Sequence, residues 1–168
     1  MANLPYPMKY SLTFLSLLVA VGCSSTDEAE TDVWGPRSSA LSLDVRGGLQ
    51  GYNETFSYDR STASVVYDCQ RFCSVGIEFM DGPVHLSVEL APAVDEELRA
   101  KLDTLAVSND RSRCYVDAKE HQIIVTSPSA TQAFVDDATA GCAGAVERPL
   151  VPYEAADELH RKFESVLR

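Results

Sequence analysis

Leu41-Ser42-Leu43-Asp44-Val45-Arg46-Gly47-Gly48-Leu49-Gln50-Gly51-Tyr52-Asn53-Glu54-Thr55-Phe56-Ser57-Tyr58 decides the fold. Leu41, Leu43 and Val45 alternate with Ser42, Asp44 and Arg46, the period of two that a half-buried strand requires. Gly47, Gly48 and Gly51 interrupt the pattern and supply the positive φ angles that close a hairpin tightly. Extended structure then resumes, with Tyr52, Phe56 and Tyr58 on one face and Asn53, Thr55 and Ser57 on the other. Two alternating strands joined by a glycine turn predict an antiparallel sheet.

Outward from this hairpin, Asp59-Arg60-Ser61-Thr62 reads as a turn and Ser64 to Cys69 as a third strand. Val75, Ile77 and Phe79 mark a fourth strand. Asp81-Gly82-Pro83 turns the chain, and Val84, Leu86, Val88 and Leu90 alternate cleanly in a fifth. The period then changes. Leu98, Leu102, Leu105 and Ala106 recur at helical spacing, with Asp95, Glu96 and Glu97 in the first turn, where the helix dipole favours anions. Cys114 to Asp117, Gln122 to Thr126 and Thr131 to Asp136 follow as short strands. A closing helix has Pro152 near its start and an apolar stripe of Leu159, Phe163, Val166 and Leu167. Short connections imply mostly antiparallel pairing. The expected class is α+β: a sheet of about seven to eight short strands with two helices packed on it and two disulfides.

Before the hairpin the chain changes character. Leu12 to Val21 is an almost unbroken apolar run preceded by Lys9 and followed by Ala20-Val21-Gly22-Cys23. Its length falls well short of the roughly 20 residues that span a bilayer, so it reads as a secretory signal peptide. Met8-Lys9 places a cation beside the apolar run and is an alternative start to Met1. The Ala20–Cys23 segment resembles the lipobox of bacterial lipoproteins. That resemblance implies cleavage before Cys23, acylation of its thiol and amino group, and removal of residues 1–22. Ser24 rather than aspartate after the cysteine implies the outer membrane, with the domain facing the periplasm or the cell surface. Two or three acyl chains hold firmly where one does not. Residues 23–37, with Asp27, Glu28, Glu30 and Asp32, are expected to be the acylated cysteine and an acidic tether. Trp34 is expected to dock on the domain edge. Residues 38–168 are about the size of one domain with a single core.

Loss of residues 1–22 removes Lys9 and no acidic residue, which moves the net charge from −11 to −12. Such acidity excludes non-specific binding to nucleic acid. Besides Cys23, four cysteines remain, at 69, 73, 114 and 142. An even number in an exported domain predicts two disulfides with three possible connectivities. The favoured one is Cys69–Cys73, closing a local loop, with Cys114–Cys142 bracketing the second group of strands. A zinc site of four thiolates needs short spacing in both pairs, and Cys114 and Cys142 lack it.

Few residues carry recognisable chemistry. His85 falls on the expected solvent face of its strand, His121 beside a turn, and His160 on the last helix away from the stripe, so all three read as surface residues. None has metal-ligand spacing, no G-x-S-x-G elbow is present, and Cys69-x-x-x-Cys73 is not a C-x-x-C redox pair. Asp136-Asp137 reads as a strand end entering a turn. No cofactor, catalytic residue or metal site is therefore expected. The candidate binding loop is Gly47-Gly48-Leu49-Gln50-Gly51, since loop tips on a rigid sheet often carry recognition. Strand, G-G-x-x-G, strand, helix, strands, helix is similar to emfourin, a small bacterial inhibitor of thermolysin-like metalloproteases. Leu49 and Gln50 stand where that family tends to carry an aromatic residue and an alanine. The expected function is a membrane-anchored, non-enzymatic envelope lipoprotein with an unidentified protein partner or a structural role. The alternatives are inhibition of an exported thermolysin-like metalloprotease, which the resemblance implies, and a hydrolase whose carboxylates converge in a cleft.

Overall fold

The computed structural model of the chain describes residues 32–48, 51–70, 73, 83–110, 114–115, 117–143 and 147–168. The central hairpin forms from β1 (Ala40–Gly47) and β2 (Tyr52–Asp59), with Gly47 opposite Tyr52 and Leu43 opposite Phe56. The chain continues through β3 (Ser64–Cys69), β4 (Val84–Glu89), α1 (Pro92–Leu102), β5 (Lys119–Thr126) and β6 (Thr131–Asp136). It ends with α2 (Asp137–Ala143), β7 (Leu150–Val151) and α3 (Tyr153–Val166). The strands make one seven-stranded sheet in the order β4-β3-β2-β1-β5-β6-β7. All pairs are antiparallel except β6–β7, where Val135 meets Leu150 in parallel. The class is α+β, as the alternation predicts. Among the described residues no helix is long and apolar enough to cross a membrane.

Strand periodicity decides which face is buried. Leu41, Leu43 and Val45 of β1, Phe56 and Tyr58 of β2, Val65 and Tyr67 of β3, and Ile123 of β5 are all buried on one face. Leu98 and Leu102 of α1 join the same core, as do Ala156, Leu159 and Phe163 of α3. Phe56 anchors the contact, its ring stacked on Phe163 at 5.4 Å and tilted against Tyr67 at 4.9 Å. Each such large side chain stabilises the fold by about 1.5–3 kcal/mol through burial. The opposite face, with Ser42, Asp44, Thr55 and Ser57, is only half-buried.

Helix termini are satisfied by residues from elsewhere. α1 begins at Pro92, whose missing N–H costs nothing in a first turn. Asp136 caps α2: its Oδ1 accepts the Thr139 N–H at 2.6 Å. The residue before α3, Pro152, has no capping side chain, and Asp137 Oδ1 accepts the Tyr153 N–H at 2.9 Å instead. Asp137 Oδ2 also accepts the Ser108 hydroxyl at 3.0 Å.

The two disulfides join Cys69 to Cys73 and Cys114 to Cys142, with Cα separations of 5.7 and 4.9 Å. Several expectations are corrected. Among the described residues there are three helices, not two: Asp136-Asp137 does not enter a simple turn, because Asp136 caps a seven-residue helix built from small residues. Among the described residues, Cys114, Tyr115 and Asp117 lie outside any strand. Asp117 takes φ +61, which a strand cannot accommodate. β7 was too short to show a period. Val33 and Trp34 are buried, and Asp32 bridges to Ala106, so packed structure begins before Ser38. The strand expected at Val75 to Phe79 lies outside the described residues.

Candidate functional site

Gly47, Gly48 and Gly51 have φ of +72, +69 and +66, the left-handed region that side chains resist. The turn closes through the Gly51 N–H to the Gly48 carbonyl at 3.1 Å. A Cβ at Gly48 would stand 3.5 Å from Lys119 Cγ and 3.6 Å from Tyr52 Cδ2, ordinary contact distances, so conformation rather than space demands glycine there. A cleft of about 520 Å³ opens beside the turn, lined by Gly47, Gly48, Tyr115, Asp117, Glu120 and Thr139. Tyr115 is 44% exposed, its ring tilted against Tyr153 with centroids 5.4 Å apart.

Beneath the same end of the sheet lies a buried polar cluster, which strand register explains. Lys119, Gly47 and Tyr52 form one cross-strand row, and His121, Val45 and Glu54 form the next. Both rows face the core, in parity with Ile123, Leu43 and Phe56. α3 crosses this corner with Asp157, His160 and Glu164 at positions i, i+3 and i+7, which share one helix face. His121 and His160 are 1% and 0% exposed and Glu54 2%, so both histidines depart from the expected surface positions. His85 is the exposed one, its Nδ1 2.6 Å from Asp68 Oδ1.

Each buried imidazole has one nitrogen facing a carboxylate at 3.3–3.4 Å and the other toward Asp157 or Lys119. His160 Nδ1 lies 3.2 Å from Lys119 Nζ. An ammonium only donates, so Nδ1 accepts and Nε2 carries the proton toward Glu54 Oε2 at 3.3 Å. Glu164 Oε1 is 3.7 Å from the same Nε2. His121 Nδ1 stands 3.4 Å from Asp136 Oδ2 and Nε2 3.9 Å from Asp157 Oδ1, yet neither nitrogen has hydrogen-bond geometry to any group. Lys119 Nζ lies 3.6 Å from Asp157 Oδ1 and 4.5 Å from the centroid of the Tyr52 ring.

The local field is negative. Burial, then Glu164, Glu54 and Asp157, push the Tyr52 hydroxyl above its usual range. Burial, then Asp157 and Asp136, do the same to Tyr153. Burial alone would raise the Asp136 carboxyl. The His121 imidazole, the N–H groups of Thr139 and His121, and the Thr139 hydroxyl outweigh it and hold that carboxyl below the usual range.

Of the residues singled out by sequence, Cys69, Cys73, Cys114 and Cys142 are joined as two bonds and the three glycines form the turn. Cys23, Leu49 and Gln50 lie outside the described residues. The polar cluster was missed, although two signals were present. Lys119, His121 and Glu54 interrupt the apolar face of otherwise clean strands, and Asp157, His160 and Glu164 repeat at helical spacing. No protein-family model, curated protein or solved structure significantly matches the chain.

Proposed function

We propose that the chain is a bacterial envelope lipoprotein, anchored through acylated Cys23, whose domain binds another protein through the Gly47–Gly51 turn and the adjoining cleft. The activity is non-enzymatic. The observation that carries the reading is the conjunction of two left-handed glycines, Gly47 and Gly48, with an exposed Tyr115 at the rim of the same cleft. Aromatic residues in such positions are the usual anchors of interfaces. Two disulfides are consistent with an oxidising, exported setting. The G-G-x-x-G resemblance makes a thermolysin-like metalloprotease the first partner class to assay.

The test is a pull-down from native membranes with the acylated protein, set beside inhibition of a thermolysin-like protease. A partner retained by wild-type protein and by His85→Ala, but lost with Tyr115→Ala at unchanged melting temperature, supports the reading. Identical retention by all three proteins contradicts it. Gly48→Ala separates stability from contact, because a forced left-handed alanine costs about 1 kcal/mol or more whatever the partner does.

A further inference from the structure

The buried cluster under α3 goes beyond partner binding and stands independently of it. We infer that His121, Asp157 and His160 bind a divalent transition-metal ion of the zinc type, and that Lys119 is the cation that fills their centre when the metal is absent. The ring nitrogens of His121 and His160 and a carboxylate oxygen of Asp157 lie within 4.8 Å of one another. Tetrahedral zinc, with bonds of about 2.0–2.2 Å, places its ligands roughly 3.4 Å apart. His121 Nε2 and Asp157 Oδ1, at 3.9 Å, close to that spacing with a small side-chain adjustment.

The second, independent observation is His121 itself. It is 1% exposed, and both ring nitrogens lack a hydrogen-bond partner. A buried polar group left unpaired is costly. Coordination through Nε2 removes that cost, with Nδ1 turned to Asp136. Asp136 is in turn fixed by the Thr139 N–H at 2.6 Å, the Thr139 hydroxyl at 2.9 Å and the His121 N–H at 2.6 Å. His160 repeats the arrangement, with Glu54 on Nε2 and Nδ1 toward Lys119. A carboxylate behind each ligating imidazole is the usual outer shell of a zinc site.

Lys119 explains how the site survives without metal. Its ammonium lies between His160 Nδ1 and Asp157 Oδ1, at 3.2 and 3.6 Å. Its side chain is 23% exposed, so it has a route outward when an ion enters. Asp157 keeps its second oxygen on Arg161 Nη2 at 3.3 Å, on the solvent side. Two imidazoles and a carboxylate select zinc and its neighbours over calcium or magnesium, which prefer all-oxygen shells. Three protein ligands leave a fourth position for water.

The experiment is titration of detergent-extracted full-length protein with Zn²⁺ alone, and with Co²⁺ alone as a spectroscopic reporter. Wild-type protein should take up one ion per chain and show the visible bands of tetrahedral cobalt bound by nitrogen and oxygen. His121→Gln and Asp157→Asn should weaken binding by about tenfold to a hundredfold, and Asp136→Asn, from behind His121, by about tenfold. Lys119→Met should tighten binding about tenfold, since the competing charge is gone. Should His121→Gln fail to fold, the Lys119→Met gain and the wild-type cobalt spectrum still decide. Absence of zinc binding at millimolar concentration in both wild type and Lys119→Met overturns the inference. So does zinc uptake that His121→Gln, still folded by circular dichroism, leaves unchanged.

Discussion

Arg60 lies over the indole of Trp34, its guanidinium carbon 5.4 Å from the ring centroid. The same Nη1 donates to the carbonyls of Gly35, Pro36 and Ser38 at 3.1, 3.0 and 3.1 Å. Arg99 Nη2 in turn donates to the Arg60 carbonyl at 3.1 Å, and Arg99 Nε to the Tyr58 hydroxyl at 3.0 Å. The segment expected to tether the domain is therefore locked onto it at Trp34, between the β2–β3 turn and the C-terminal end of α1, where Val33 N–H also donates to the Leu105 carbonyl at 3.2 Å.

Arg60→Ala removes a cation–π contact and three charge-assisted hydrogen bonds at once, so it should destabilise the fold by about 2–3 kcal/mol. Arg60→Lys should rescue little, because an ammonium lacks the planar fork. Trp34 is the single tryptophan in the chain, and its emission reports the lock directly. A red-shifted fluorescence maximum in Arg60→Ala, with a lower urea midpoint, is the expected outcome. An unchanged spectrum and midpoint would show that Trp34 is held by packing alone.

The Tyr58 hydroxyl should keep its proton well past the ordinary tyrosine range. Burial, then its 2.6 Å hydrogen bond to Asp95, push its hydroxyl up to about 12 against the opposing pull of Arg99. The unfolded chain gives up this proton near 10. The folded state holds it more tightly, so this contribution to stability is complete below pH 10 and is lost as pH rises through 12. The slope in that window is at most about 1.4 kcal/mol per pH unit. Ultraviolet difference titration of wild type and Tyr58→Phe measures it. Loss of a step near pH 12 in the variant is expected; an unaltered curve contradicts the assignment.

The two disulfides should differ in accessibility. Cys114 and Cys142 are exposed, whereas Cys69 and Cys73 are each 1% exposed. Mild reductant followed by alkylation and peptide mapping should therefore label Cys114 and Cys142 first. Replacing that pair by serine should cost about 3–4 kcal/mol in the chain-entropy account, against about 2 kcal/mol for the shorter Cys69–Cys73 loop. Labelling of Cys69 and Cys73 before the other pair would overturn the burial argument.

Most of the sheet was legible because its signal is local. The alternation of Leu41, Leu43 and Val45 fixes a face without knowledge of what covers it, and three glycines fix the turn. The two-residue β7 carries no period, and it forms only because Leu150 finds Val135 across a parallel pair. α2 is too short and too rich in small residues to show a stripe, although Asp136 followed by Thr139 is a capping signal. The polar cluster was hidden for another reason. His121 and His160 lie 39 positions apart in sequence, and only the crossing of α3 over β5 brings their rings to 6.1 Å. Neighbour-by-neighbour reading treats such histidines as surface residues.

Anchoring at Cys23 is the premise on which the proposed envelope setting and membrane-bound partner capture depend. The most direct test is intact mass and amino-terminal mapping of the protein purified from membranes, beside Cys23→Ser. The account predicts a mature chain beginning at Cys23, carrying acyl mass and partitioning into detergent, with Cys23→Ser neither acylated nor cut at that position. A water-soluble wild-type chain without acyl mass at Cys23 would contradict it.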